Sequence, residues 1–386
     1  MKTTGAIGVG SIFAPMDSMA DSTDQIHSMP TRPFGNTGVD VPILSFGGSL
    51  DFNFRLLRQA VKWGVTYWDT ANSYRGGRSE QAVGNYFGKY PDDRKKIFLV
   101  TKSHAWTRNG MSRDLHESLE RMKTDYIDLF FVHSVNNISE LDAKTKVWAE
   151  KAKTEGKFRF FGFSTHGNME SCMLEGARLG WIDGIMMTYN YRLMHTDRMK
   201  RAMDACYEAG IGLTAMKTQG GGSVKTDTEI ERKLAGHFVE KGFTPEQAKL
   251  KAVWENPYIA SICSEMPNMK ILRSNVTAAT IPNKLAAQDM EMLRRYAHKT
   301  KSSYCAGCIQ ICESVLETKI PIGDVMRCLM YSRSYGEPVR AVRNFKKIPH
   351  SIRCRLTNHN YSVAEQKCPR KLPIGRLMKE AVEKFS

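Results

Sequence analysis

The chain has 386 residues, 41% of them hydrophobic and 25% charged, and its 56 Lys and Arg against 40 Asp and Glu give a formal net charge of +16. That length suits one barrel-sized domain with appendages, and no apolar run approaches the length of a membrane span. The surplus of basic residues favours anionic ligands, but it is scattered, and even its densest patch, Arg340 to Lys347, reads as a solvated face and not as a nucleic-acid site.

In chain order, residues 1–30 open with a small-residue apolar stretch and continue in a polar tract containing Met and Ser, which reads as processing sequence. Residues 31–282 carry a repeated strand and helix grammar, and residues 283–386 form an appended helical module. Between Arg32 and Val39, Gly and Asn supply turn chemistry for a short hairpin closing a barrel bottom. A first barrel strand follows at Ile43 to Gly48. Helical stripes such as Leu56, Leu57, Ala60 and Val61 then alternate with short β-rich runs such as Phe158 to Phe163, Gly184 to Thr188, Ile211 to Met216 and Ile259 to Cys263. Eight such units, without a second Gly-rich dinucleotide fingerprint, predict a (β/α)8 barrel and not a doubly wound sheet. The run Gly220, Gly221, Gly222 follows the seventh strand, near where barrels bind phosphate through backbone N–H groups.

Several apolar runs end in a polar residue. Asp69 closes the run from Val65 and is followed by Tyr74; Lys102 follows Ile97 to Thr101, and His133 follows Ile127 to Val132. In a parallel barrel the loops after the strands are where chemistry sits. The quartet Asp69, Tyr74, Lys102 and His133 resembles the catalytic tetrad of the aldo-keto reductases. Trp68-Asp69-Thr70-Ala71, Ser118-Leu119-Glu120-Arg121-Met122 and Asp125-Tyr126-Ile127-Asp128-Leu129 are written much as that family writes them.

The resemblance covers roughly Arg32 to Ala279. It implies an oxidoreductase that moves hydride between NAD(H) or NADP(H) and a small carbonyl or alcohol substrate. Tyr74 would be the proton donor, with Lys102 lowering its pKa, Asp69 holding the ammonium, and His133 donating to the substrate oxygen. It also implies cofactor contacts at Ser164, Thr165, Asn190, Lys217, Gly220, Gly221 and Asn275. Two departures stand out. Glu265 and Ile271 occupy positions where the family usually places basic residues for the 2′-phosphate of NADPH, and Ala215-Met216-Lys217-Thr218 lacks the aromatic that commonly stacks on nicotinamide. A carboxylate repels a phosphate, so NAD(H) is a live alternative.

Of nine cysteines, Cys172, Cys206 and Cys263 are isolated in barrel segments and read as buried small hydrophobes; the other six follow residue 300. Cys305, Cys308 and Cys312, with a distant Cys368-Pro369, have the three-plus-one form of a ferredoxin-type [4Fe-4S] site. Zinc would also satisfy four thiolates, and an empty module is the third possibility; Cys328 or Cys354 could replace Cys368. The tail shows little continuous apolar pattern and is expected to gain order from such a cross-link. Its Ile-Pro-Ile and Leu-Pro-Ile-Gly-Arg-Leu-Met phrases resemble those of a bacterial aldo-keto reductase subgroup with a C-terminal iron-sulfur module and twin-arginine export signals. Residues 1–30 resemble the latter part of such a signal, without the Arg-Arg pair. Export is therefore expected if that signal is real and a cytoplasmic location otherwise, with room for an electron-transfer partner. The alternative is a catalytically silent, reductase-like protein that senses redox state or binds a partner.

Overall fold

A computed structural model describes residues 28–49, 53–221 and 229–386. The signal-like residues 1–27 and Gly222 lie outside the described residues.

Strands β1 (Thr31–Pro33) and β2 (Asp40–Pro42) form the antiparallel hairpin, with Arg32 opposite Val41. Eight parallel strands then close into a barrel: β3 (Leu44–Gly47), β4 (Tyr67–Asp69), β5 (Phe98–Ser103), β6 (Ile127–Val132), β7 (Phe158–Thr165), β8 (Gly184–Thr188), β9 (Gly212–Met216) and β10 (Ile259–Glu265), with β10 returning to pair β3. Helices lie between successive strands. Their starts follow local chemistry: Thr107 accepts from the Gly110 amide at the head of Arg108–Met122, and Thr244 with Gln247 forms a capping box at the head of Pro245–Trp254.

The hairpin tip seals the barrel floor. Phe34 is fully buried beside Tyr67 and Phe98, and glycine is required where strands approach its ring. A Cβ on Gly184 would lie 2.9 Å from that ring, and one on Gly212 only 2.5 Å. Above Phe34 the interior is filled by Val100, Leu129, Phe131, Met186 and Ala260, so the barrel is a packed core whose polar residues emerge at the carboxyl ends of the strands.

After β10, helix Met269–Thr280 completes the barrel and helix Ala287–Lys299 packs beside it, with Asp289 accepting from His237 at 2.6 Å and Lys241 at 2.7 Å. The remaining chain forms helices Ile309–Cys312, Ile322–Ser334, Pro338–Lys346, His350–Arg353, Ser362–Lys367 and Ile374–Phe385. This module has an apolar core of its own, including Val325, Leu329, Phe345, Leu356, Met378 and Phe385. The tail thus has an apolar core besides whatever order a cross-link would add; its apolar residues are spread over short helices, so no single segment displays a long stripe. No described helix is long and apolar enough to cross a membrane.

The module is fastened to the barrel mouth. The Asn168 amide donates to the Gly307 carbonyl at 2.8 Å, and the Gln310 amide donates to Asn168 Oδ1 at 2.9 Å. Gly307 has φ of 79°, and a Cβ there would meet the His166 carbonyl oxygen at 2.4 Å, so the cysteine-bearing loop can approach the β7 loop this closely only with glycine. Helices Ile322–Ser334 and Pro338–Lys346 lie across the carboxyl ends of the strands.

Candidate active site

Asp69 ends β4 and Lys102 lies on β5, adjacent strands whose pairing brings the two side chains together. Lys102 Nζ donates to Asp69 Oδ1 at 2.5 Å and to the Thr70 carbonyl at 2.7 Å, and both side chains are buried. Tyr74 starts a short turn in which Arg75, Gly76 and Gly77 all have positive φ. This left-handed path turns the chain sharply after the tyrosine and is open chiefly to glycine. The Tyr74 ring lies with its centroid 5.0 Å from Lys102 Nζ and stands edge-on to His133 at 5.6 Å. The structure thus brings the four catalytic candidates together.

Their electrostatics differ from expectation in one respect. Tyr74 is pushed well above the usual phenol range, by burial first and then by the Asp69 and Cys263 side chains facing it. Lys102 directs both of its hydrogen bonds to Asp69 and Thr70, so its charge is compensated before it reaches the phenol. Tyr74 is a protonated donor, not a near-phenolate. His133 is held well below its ordinary value by burial, by the neighbouring His104 and by Lys102, and its neutral imidazole can still donate one N–H. His104, which the sequence did not single out, stacks on His133 at 4.0 Å with 17° between planes. Cys263 is no simple core hydrophobe: it lines the cleft against the Asp69 carboxylate.

These residues open on a cleft of about 1660 Å³. Its inner wall is the barrel mouth, including Asp69, Tyr74, His133, His166, Lys217 and Glu265; its outer wall is the C-terminal module, including Arg327, Tyr331, Arg340, Arg343 and Lys347. The patch from Arg340 to Lys347 is therefore not simply a solvated face. Ala341 and Phe345 are buried in the module core, and Arg340, Arg343 and Lys347 border the cleft. Arg340 bonds Glu337 at 2.9 Å, lies 3.8 Å from Glu265 and sits 4.2 Å over the Tyr331 ring. Glu265 also accepts from Ser49. The enclosing cleft, although it leaves 38% of the side chain exposed, pushes the Glu265 carboxyl up to about 7 by desolvation, against the pull of Arg340.

Of the seven residues expected to touch a cofactor, Lys217 lines the cleft, with Nζ 3.0 Å from His166 Nδ1. Burial, with Arg327 and Arg340 nearby, holds its ammonium well below the ordinary lysine value. The other six are held by contacts with the barrel, its loops and Tyr304. Ser164 Oγ accepts from the Ser134 amide at 3.1 Å, Thr165 Oγ1 donates to the Gly167 carbonyl at 2.9 Å, and Asn275 Nδ2 donates to Ser264 Oγ at 3.0 Å. Asn190 donates to the Lys217 carbonyl and to Tyr304 Oη, each at 3.1 Å, while its Oδ1 accepts from the Arg192 amide. The Gly220 carbonyl accepts from Arg192 Nε at 2.6 Å, and Gly221 packs against Tyr304. Thr218, Gln219, Ser264, Pro267 and Ile271 also border the cleft, forming a track at and past the carboxyl ends of β9 and β10.

Cys305, Cys308, Cys312 and Cys368 line a second, small void together with Arg370. Cys328 faces the catalytic cleft and Cys354 is exposed beside His350, so neither stands in for Cys368. Among the described residues no three His, Cys, Asp or Glu side chains are disposed to hold a metal ion. Arg370 Nη1 donates to the Arg192 carbonyl at 3.4 Å, while its Nε and Nη2 are buried without a hydrogen-bond partner.

A profile of the aldo/keto reductase family matches residues 47–303. The chain is 23% identical over 280 residues to L-galactose dehydrogenase of Arabidopsis thaliana, covering 64% of this chain and 88% of that protein. It is likewise 23% identical over 305 residues to the uncharacterized oxidoreductase YqkF of Bacillus subtilis, covering 69% and 96%. An aldo-keto reductase of Bacillus halodurans in its holo form superposes with a TM-score of 0.57 at 21% identity, covering 69% of this chain and 96% of its own.

Proposed function

This chain belongs to the aldo/keto reductase family, and on that premise we propose that it is a carbonyl reductase whose catalytic cleft is completed by a cluster-bearing C-terminal module. As a family member it is an NAD(P)-dependent oxidoreductase of small carbonyl or alcohol substrates, and the bound nicotinamide supplies the hydride. The observation that carries the catalytic assignment is the buried Lys102 and Asp69 pair beneath Tyr74, with His133 on the same cleft.

In this reading the substrate oxygen sits between the Tyr74 hydroxyl and the His133 imidazole. His133 is neutral and donates a hydrogen bond without delivering a net charge, orienting the carbonyl and stabilising negative charge as it develops. Tyr74 keeps its proton until that charge is present and then transfers it to oxygen. Asp69 and Lys102 hold the site's floor in place. The track from Lys217 to Gln219 and from Ser264 to Ile271 is where the nucleotide would lie, with Glu265 disfavouring a 2′-phosphate.

The residues around the second void fit a [4Fe-4S] cluster. Four soft thiol donors surround one space, in the ligand set such clusters use. A single zinc would instead need the same four thiolates to converge on one centre with four short bonds. Cys305, Cys308, Cys312 and Cys368 would be the ligands, and the cluster would add a one-electron centre that can serve an electron-transfer partner. Export of the folded, cluster-loaded protein belongs to the same proposal.

Anaerobic purification of the full chain tests this. Brown protein containing iron and acid-labile sulfide in equal amounts is the expected result; colourless protein with stoichiometric zinc, or with no metal, overturns the cluster. Turnover of carbonyl substrates with NADH or NADPH tests the reductase separately.

A further inference from the structure

Arg370 poses a problem that the reductase chemistry does not solve. It follows Cys368-Pro369 and is wedged between the module and the barrel: one nitrogen, Nη1, donates to the Arg192 carbonyl, and the guanidinium carbon lies 6.0 Å from the Tyr304 ring centroid. The other two nitrogens, Nε and Nη2, are buried and have no acceptor in the protein. Buried charged donors are rarely left so, and each such case calls for an explanation, a partner outside the protein chain among them. Arg370 also lines the void bordered by Cys305, Cys308, Cys312 and Cys368. A guanidinium is always charged and presents its donors in a fixed fork, which suits an acceptor bearing negative charge over several atoms.

We propose that Arg370 is the electrostatic partner of the iron-sulfur cluster, donating N–H groups to its sulfur atoms and raising its reduction potential. The inference rests on the cluster reading above. With four thiolates and four sulfides, a cubane carries net negative charge in both redox states and one unit more when reduced. A fixed positive charge and hydrogen bonds to sulfur therefore stabilise the reduced form more than the oxidised one, which shifts the potential upward. The same residue ties the cluster to the barrel. Arg192 sits 5.5 Å from the Tyr304 ring, the Arg192 amide bonds Asn190, and Tyr304 Oη accepts from Asn190. The cluster's charge is thus compensated by a residue braced on the loop after β8, and not by a side chain free in solvent.

The test is a dye-mediated redox titration of the full-length holoprotein, followed by electron paramagnetic resonance, on wild type, Arg370→Met and Arg370→Lys. At the potential where the wild-type cluster is half reduced, the Met variant should show a reduced-to-oxidised ratio at least tenfold lower, a shift of about 59 mV for one electron. The Lys variant, keeping the charge but not the fork, should fall between them. A purely structural clamp would alter stability or cluster yield but leave the potential of the retained cluster where it was. Arg370→Met and wild type titrating together overturn the proposal. If the Met variant retains no cluster, the Lys variant decides: a potential below that of wild type supports the assignment and an unchanged one overturns it. Wild-type protein without iron and sulfide fails before any titration, and it overturns the cluster reading and this inference with it.

Discussion

Replacing Lys102 by Met removes one member of an ion pair whose side chains are 1% and 3% exposed and whose N to O distance is 2.5 Å. Removing one partner of a buried pair costs about 3–5 kcal/mol, because a charge is left without compensation. Burial already raises the Asp69 carboxyl above its ordinary value with Lys102 opposing it, so in Lys102→Met, where Asp69 can relieve the cost only by keeping its proton, its folded-state pKa climbs further. The sign of the pH dependence follows. At about pH 4 and below, Asp69 is protonated in the folded and the unfolded chain alike, and the penalty is smallest. As pH rises, the unfolded chain ionises first, and each further unit removes up to about 1.4 kcal/mol until Asp69 ionises in the folded protein as well. Urea unfolding at pH 4 and at pH 8 should therefore show a deficit against wild type that is smallest at the lower pH and much larger at the higher. Adding Asp69→Asn should restore much of the stability and flatten the pH dependence. An equal deficit at both pH values, or a double variant no better than the single, would refute the account of this pair.

Tyr74→Phe should lose carbonyl reduction by at least about a hundredfold, the scale of a general acid, while cofactor binding measured by fluorescence titration stays within about twofold; retained turnover would remove Tyr74 from its role. NADH should bind at least as well as NADPH, and the ratio of NADPH to NADH affinity should fall as pH rises through about 7, where Glu265 gains its full charge. Glu265→Gln should weaken that trend, and a trend unchanged in the variant would show that Glu265 does not face the phosphate. Cys368→Ser should lose iron and sulfide, whereas Cys328→Ser should keep both, since Cys328 borders the other cavity; equal loss in the two would mean the ligand set is misassigned.

The barrel was legible because its signals are local. Short apolar runs punctuated by helical stripes dictate strands and helices, and polar residues ending those runs fall on one rim by topology. Asp69, Tyr74, Lys102 and His133 could be found this way without any knowledge of their contacts. What sequence could not show depended on chain segments far apart. Nothing around Asn190 in the sequence says that Tyr304, from well beyond the barrel, accepts from its amide. Arg340 looks like one more solvated cation until it is seen between Glu265 and Glu337. The expected lowering of the Tyr74 pKa was reasoned from residue types alone; the outcome turned on burial and on Lys102 already being engaged by Asp69. The stacking of His104 on His133 left no motif, because a histidine two residues beyond Lys102 carries no spacing signal of its own.

The outer wall of the cleft is borrowed from a segment that both starts and ends at the cysteine void: Cys312 precedes it, Cys368 closes it, and Arg327, Tyr331 and Arg340 lie between. Proton transfer and molecular fit are consequently written in different parts of the gene. Substitutions at Arg327, Arg343 or Lys347 can reshape what the pocket admits while the rim of the barrel, and with it the chemistry, stays untouched. A lineage could acquire new substrates by drift in the segment between Cys312 and Cys368, and grafting that segment between relatives is a direct route to exchanging their preferences.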